Sequence, residues 1–266
     1  MNSEKDMSFM EHLEVLRWHL VRSAALVVIV MIVVFTQKDF IFNKLILAPK
    51  SPDFFTNQLL AHLAELTGLT FFQINDVPFE LINISMSGQF LSHIWISLAV
   101  GLIVASPYVV WEIWRFIAPA LTQGERSAAR GSVFFISTLF LIGVLFGYYI
   151  IVPLSINFLS SYTLSLEVAN QIKLSSYISL ISSITLASGI VFELPMFVYF
   201  FSRIGILTPE GMKKYRRHAY VGLLILSAII TPPDVFSQVL ICIPLVFLYE
   251  FGIGIAKRVK KKAHNS

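Results

Sequence analysis

The chain has 266 residues, of which 56% are hydrophobic and 14% charged, with a net charge of +4 and a mean hydropathy of +0.75. It is too apolar for a soluble domain of this length and long enough for several membrane spans. There is no GK[ST] phosphate loop, no HExxH, no GxSxG, and the six histidines lack metal-ligand spacing, so nucleotide hydrolysis, metal catalysis and nucleophilic catalysis are not expected.

In chain order, the N-terminal segment FMEHLEVLRWHLVRS carries an apolar stripe of Phe9, Leu13, Leu16 and Leu20. Glu11, Glu14 and Arg17 share a polar side at spacing three. This pattern predicts an amphipathic helix over residues 1–19, with local ion pairs, leading into the first span. A span needs roughly 20 apolar residues. Six stretches are read as spans: Leu20–Phe35, Gly88–Ile113, Ser132–Phe158, Ser175–Ser202, Ala219–Thr231 and Val235–Ala256. No small-residue cleavage site precedes the first, which is read as retained.

The expected fold is therefore an all-α integral membrane protein with a six-span domain over 20–256. Of the Lys and Arg residues, sixteen fall on the side shared by the two termini and four (Lys38, Lys44, Lys50 and Lys173) on the other. That bias places both termini in the cytoplasm, with cytoplasmic loops at 114–131 and 203–218. The net positive charge is then no nucleic-acid signal, and the basic tail 257–266, KRVKKK, is expected to lie on anionic lipid headgroups. The outer loop, 37–87, contains TNQLLAHLAELTGL. There an Asn57 cap and an apolar face of Leu59, Leu63 and Leu66 predict a short helix over the outer ends of the spans. The last two spans read as short, because Pro232-Pro233 forces a turn and Pro244 is expected to interrupt the final helix. Cys242 reads as a small core residue.

Glu193 is the one formal charge between Lys173 and Arg203. An ionised carboxylate at membrane depth costs about 2.5–3.5 kcal/mol on insertion scales. The helix must therefore turn it toward protein, water or a partner, or keep it protonated. Pro195 withdraws a backbone donor two residues on. Upstream, Ser175, Ser179, Ser182, Thr185 and Gly189 form a small, polar stripe suited to close helix contact. A strut within the bundle, a proton site and a contact surface all fit these residues. In the first cytoplasmic loop, WRFIAPALTQGERSAAR, Pro119 ends one helix, Gln123-Gly124 turns, and Glu125-Arg126 begins the next. In the outer turn TPPDVFSQ, Asp234 is suited to cap the last helix.

Together HLEVLR, FIAPALTQGER, FELP, TPPDVFSQ and YEFGI, in this order and spacing, resemble the TatC family, the multispan core of the twin-arginine protein translocase. The resemblance covers nearly the whole chain. It implies a non-enzymatic receptor without cofactors in the bacterial cytoplasmic (inner) membrane. Such a receptor binds twin-arginine signal peptides of folded cargo and organises single-span TatA/TatB-type subunits, driven by the proton-motive force, with self-association in a receptor complex. It further implies that Glu125 meets the guanidinium pair, with Phe116 and Pro119 shaping the surface and Arg126, Arg17, Glu14 and Glu11 nearby. The family usually reads HLxELR, whereas this chain has Val15 at the acidic position and Glu14 one residue earlier, about 100° away on a helix. Either Glu14 or Glu11 takes the role, or recognition leans on Glu125. Glu193, Thr231, Gln238 and Asp234 are the implied contacts for partner helices. The alternative from the residues alone is a proton- or cation-coupled small-solute transporter using Glu193.

Overall fold

A computed structural model describes residues 9–67, 79–117, 123–165, 167, 170–231 and 235–264. The chain is helical almost throughout, and its contacts divide it into two compact bodies, Met1–Lys38 with His93–Thr138 and Asp39–Ser92 with Leu139–Ser266.

The first body holds α1 (Phe9–Thr36), most of α3 (Gly88–Ile117) and the start of α4 (Gln123–Phe146). The amphipathic N-terminal segment and the first span form one uninterrupted helix, with no break at residue 19. Its Leu, Met, Arg and Ala content favours this, and neither Gly nor Pro occurs in it. Gly101 lets α3 approach α1 closely, since a Cβ there would sit 3.2 Å from the Met31 backbone. Val28, Ile29, Ile32 and Val33 remain exposed on α1, a face suited to lipid. α4 starts at Gln123, so the helix takes in the expected Gln123-Gly124 turn.

The second body holds α2 (Phe55–Thr67), α5 (Val152–Ser161), α6 (Leu174–Phe192), α7 (Leu194–Arg203), α8 (Pro209–Lys214), α9 (Arg216–Ile230) and α10 (Val235–His264). Its core is built on Ile46, Ile151, Val152, Ile178, Ile184 and Leu245. Two short strands, β1 (Leu81–Ile82) and β2 (Ile172–Lys173), pair in parallel, Leu81 with Ile172 and Ile82 with Lys173. No strand was expected from the sequence, because two residues carry no alternation pattern.

Prolines shape this body through the carbonyls they leave without helical donors. Pro153 cannot donate to Tyr149, the preceding segment Gly147–Ile151 widens into a π-turn, and the Tyr149 carbonyl accepts the Thr56 hydroxyl. Pro49 likewise cannot serve Leu45; Phe40–Ile46 is π-helical, and the Leu45 carbonyl accepts the Tyr148 hydroxyl at 2.6 Å. The adjacent Ile46 carbonyl accepts Tyr177 Oη at 2.9 Å. The long loop is thereby tied to the 148–177 region, and Phe54 stacks on Tyr149 with ring centroids 5.4 Å apart.

The helix expected in that loop is present, but its cap and face differ. Asn57 is buried inside α2, where its amide donates to the Pro49 and Ser51 carbonyls at 3.1 and 2.7 Å. Leu59 and Leu66 are 48% and 71% exposed, while Thr56, Asn57 and Ala64 face the core. The leucine spacing gave a helix period, but the freed carbonyls below it select the polar Thr56–Asn57 edge.

Among the described residues, five helical segments are long and apolar enough to cross a membrane: Leu13–Thr36, Gly88–Ile117, Val133–Ser161, Leu174–Arg203 and Gln238–Lys261. α9, at 15 residues, is about 22 Å long against a hydrocarbon core of roughly 30 Å. The final helix is not short. α10 runs 30 residues straight through Pro244, and its Lys- and Arg-rich end extends it through the tail to His264.

Candidate functional site

In the first body, α1 and α3 meet through a buried carboxylate. Glu112, 1% exposed, accepts from Tyr108 Oη at 2.8 Å and lies 3.5 Å from Arg115 Nη1. Its other oxygen bonds His19 Nδ1 of α1. Tyr108, Glu112 and Arg115 follow from helical spacings of four and three. The His19 ring also meets Phe116 edge-on, with centroids 6.2 Å apart, and Arg115 lies over Trp111 at 4.8 Å. A buried carboxylate is tolerated when its lone pairs are met in this way. The charge in WEIWRF was visible in the sequence, but its partner 93 residues earlier was not.

Two of the predicted segments, HLEVLR through its extension to His19 and WRFIAP through Phe116, are thus brought together. Glu14 and Arg17 are exposed and pair at 3.4 Å, and Val15 is exposed beside them. Phe116 is half-buried against His19. Glu11 lies in α1, and Glu125 and Arg126 lie in the first turn of α4, but their side chains are outside the described ones. Pro119 and Asp234 fall outside the described residues.

In the second body, Glu193 occupies the break between α6 and α7, with φ −73° and ψ −2°. Pro195 restarts the chain as α7, and the Glu193 carbonyl accepts from Met196 and Phe197 at 2.8 and 3.1 Å. Both carboxylate oxygens are buried without a hydrogen-bond partner among the described residues. The Phe140 main chain lies near the carboxylate, outside bonding geometry. The stripe upstream divides. Ser182, Thr185 and Gly189 are buried, while Ser175 and Ser179 stay exposed. Contact near Glu193 is tight, since a Cβ on Gly143 would lie 2.6 Å from the Ser188 carbonyl and one on Gly189 2.8 Å from the Phe140 ring. Much of the small-residue face therefore serves packing within the chain.

Thr231 is buried and its hydroxyl donates to the Ser227 carbonyl at 2.8 Å. It also lines a groove of about 580 Å³ with Ser175, Ser179 and Ser183. Gln238 bonds backbone, donating to the Leu224 carbonyl at 3.2 Å. The YEFGI segment proves to be a fastening. Glu250 pairs with Arg216 and accepts from Tyr220 Oη, both at 2.6 Å, and Tyr249 Oη reaches the Met212 carbonyl at 2.9 Å.

Comparison with known proteins bears on the whole arrangement. The family model described as "Sec-independent protein translocase protein (TatC)" matches residues 11–244. The Sec-independent protein translocase protein TatC of Blattabacterium sp. subsp. Periplaneta americana is 39% identical over 98% of this chain and 99% of its own. The protein of the same name from Carboxydothermus hydrogenoformans is 31% identical over 97% and 96%. A solved structure described as "Crystal Structure of Twin Arginine Translocase Receptor- TatC" superposes with a TM-score of 0.68 at 32% identity, covering 94% of this chain and all of the other.

Proposed function

The chain belongs to the TatC family, a non-enzymatic membrane component of the Sec-independent protein translocase, and on that premise we propose that it receives twin-arginine signal peptides and organises single-span partner subunits. The observation that carries the reading is the junction of α1 and α3. His19 contacts both Glu112 and Phe116, so the N-terminal motif and the start of the first cytoplasmic loop form one surface. Glu125 supplies the carboxylate for the guanidinium pair, which bonds carboxylates through a planar fork. Phe116 and Pro119 shape its surroundings, with Arg126, Arg17 and an acid from Glu11 or Glu14 alongside.

Glu193 is the contact for the second task. Its carboxylate is buried and without a hydrogen-bond partner among the described residues, so a polar side chain on a passing helix would supply the missing donor. Hydrogen bonds of this kind between membrane helices contribute about 1–2 kcal/mol, which suits reversible assembly. Thr231, Gln238 and Asp234 form a second contact at the far end of α9. In this reading the protein sits in the bacterial inner membrane with six spans, α9 being the short one, and with both termini cytoplasmic. Its partners are TatA/TatB-type subunits, further copies of itself, and anionic lipid at the tail. The solute-transporter alternative gains nothing from membership of a protein-translocase family.

The deciding experiment is photocrosslinking of a twin-arginine peptide to the full-length protein in native membranes. Glu125→Ala is expected to abolish the adduct while the protein remains inserted. An undiminished adduct overturns the peptide-site assignment.

A further inference from the structure

We propose that the groove between α7, α8 and α9 is a binding site for one anionic phospholipid, with an acyl chain in the groove and the phosphate at Lys214. This site is separate from the basic tail and does not rest on the translocation reading.

The groove has a volume of about 590 Å³ and is walled mainly by apolar side chains, among them Leu194, Val198, Leu207 and Leu226. Gly222 lies on its α9 wall, and a Cβ built there meets nothing within 4 Å. The space is thus left open by the missing side chain. In water such a cavity would be costly, but in a bilayer hydrocarbon fills it. Where the chain passes into α8, the lining includes Thr208, Gly211 and Tyr215. Tyr215 is an exposed aromatic, of the kind enriched at headgroup level. The membrane-length segment Leu174–Arg203 ends close by in sequence, which sets the same level.

Charge at that level selects the headgroup. Lys214 Nζ lies 5.7 Å from the ring centroid of Tyr215, which lines the groove. The acids of this end are already engaged, Glu210 with Lys260 at 2.9 Å and Glu250 with Arg216 at 2.6 Å. Lys214 has no ion pair among the described residues. A free cation over an apolar slot between helices matches a phosphodiester with its chains, as basic pockets between spans do for anionic lipids generally.

The test is native mass spectrometry of the full-length protein after exchange from phosphatidylglycerol/phosphatidylcholine vesicles into detergent. The wild type is expected to retain one phosphatidylglycerol in preference to phosphatidylcholine. Gly222→Phe and, as a gentler plug, Gly222→Leu should weaken retention about tenfold, while Gly222→Ala, which leaves most of the slot open, should keep it. Lys214→Ala should cut the preference for phosphatidylglycerol about fivefold if this cation contributes as at a membrane surface. Equal retention of both lipids by the wild type, or unchanged retention by a plugged variant with native helicity, overturns the proposal. Protection of Leu226→Cys from maleimide only when a single-span partner is co-purified marks the groove as a helix dock and also overturns it.

Discussion

Glu112 shows how a single charge can fasten two helices. Its side chain is almost wholly buried, and three donors from α1 and α3 converge on it. His19→Ala removes the contact from α1 and leaves a buried carboxylate under-satisfied, which costs about 1–3 kcal/mol. The expected result is a lower thermal midpoint in detergent, with peptide crosslinking reduced in parallel; an unchanged midpoint would show that the His19 bond contributes nothing. Val15 is exposed beside Glu14, so Val15→Glu adds a carboxylate without burying it and is expected to tighten peptide binding, measurable by titration with a labelled peptide. No change would mean that Glu11 or Glu14 already serves. Glu193 stood out in the sequence because no other charge surrounds it. The role of Glu112 did not, since a fold is needed to bring His19 across 93 residues.

At the scale of the elements, proline placement and glycine contacts explain most departures from simple helices. Pro49 and Pro153 each strip a carbonyl of its helical donor, and in both cases a hydroxyl from a distant segment takes it. Thr56→Val should therefore leave the Tyr149 carbonyl unpaired and lower stability by about 1–3 kcal/mol, read as faster proteolysis of the 39–92 segment. Gly143 and Gly254 are both helical glycines, yet their alanine variants should behave oppositely. A Cβ on Gly143 would press into Ser188 and Phe192, for an overpacking cost of about 1–3 kcal/mol, whereas Gly254 has open space and gains helix propensity of up to about 1 kcal/mol. Thermal unfolding of the two variants checks the sign. The helices themselves were legible from apolar run length. The buried face of α2 was not, because leucine periodicity points one way and the freed carbonyls another.

For the molecule as a whole, the sequence conveyed class, family and the order of the long helices, because composition and run length determine these. It did not convey the continuity of α10, since Pro244 reads as a stop wherever neighbouring packing is unseen. That continuity carries Lys260 to Glu210, so the tail and α8 lie at the same end. The Lys260 ammonium, the Glu210 backbone amide and nearby Lys213 hold the Glu210 carboxyl below its ordinary value of 4.5. A lowered folded-state value means that the pair's stabilisation is fully present above pH 4.5 and fades as pH falls through the folded value. Any difference in melting temperature between wild type and Glu210→Gln should accordingly vanish in acid, and a difference that persists would break the assignment. With Cys242→Ser as background, Thr208→Cys and Arg258→Cys should react with an impermeant maleimide from one side of the membrane, and Ser161→Cys from the other.

The tyrosine bonds that tie down the long loop also impose an order on biogenesis. The Leu45 and Ile46 carbonyls wait for hydroxyls 103 and 131 residues further on. A ribosome emits Tyr177 well after the loop has been made, and closing so long a loop carries an entropic cost that local contacts do not. The loop therefore sets fully only once α6 is made, and a nascent chain arrested before α6 would hold residues 39–92 by the Tyr148 and Tyr149 contacts alone, more open to protease and to chaperones, until that helix arrives.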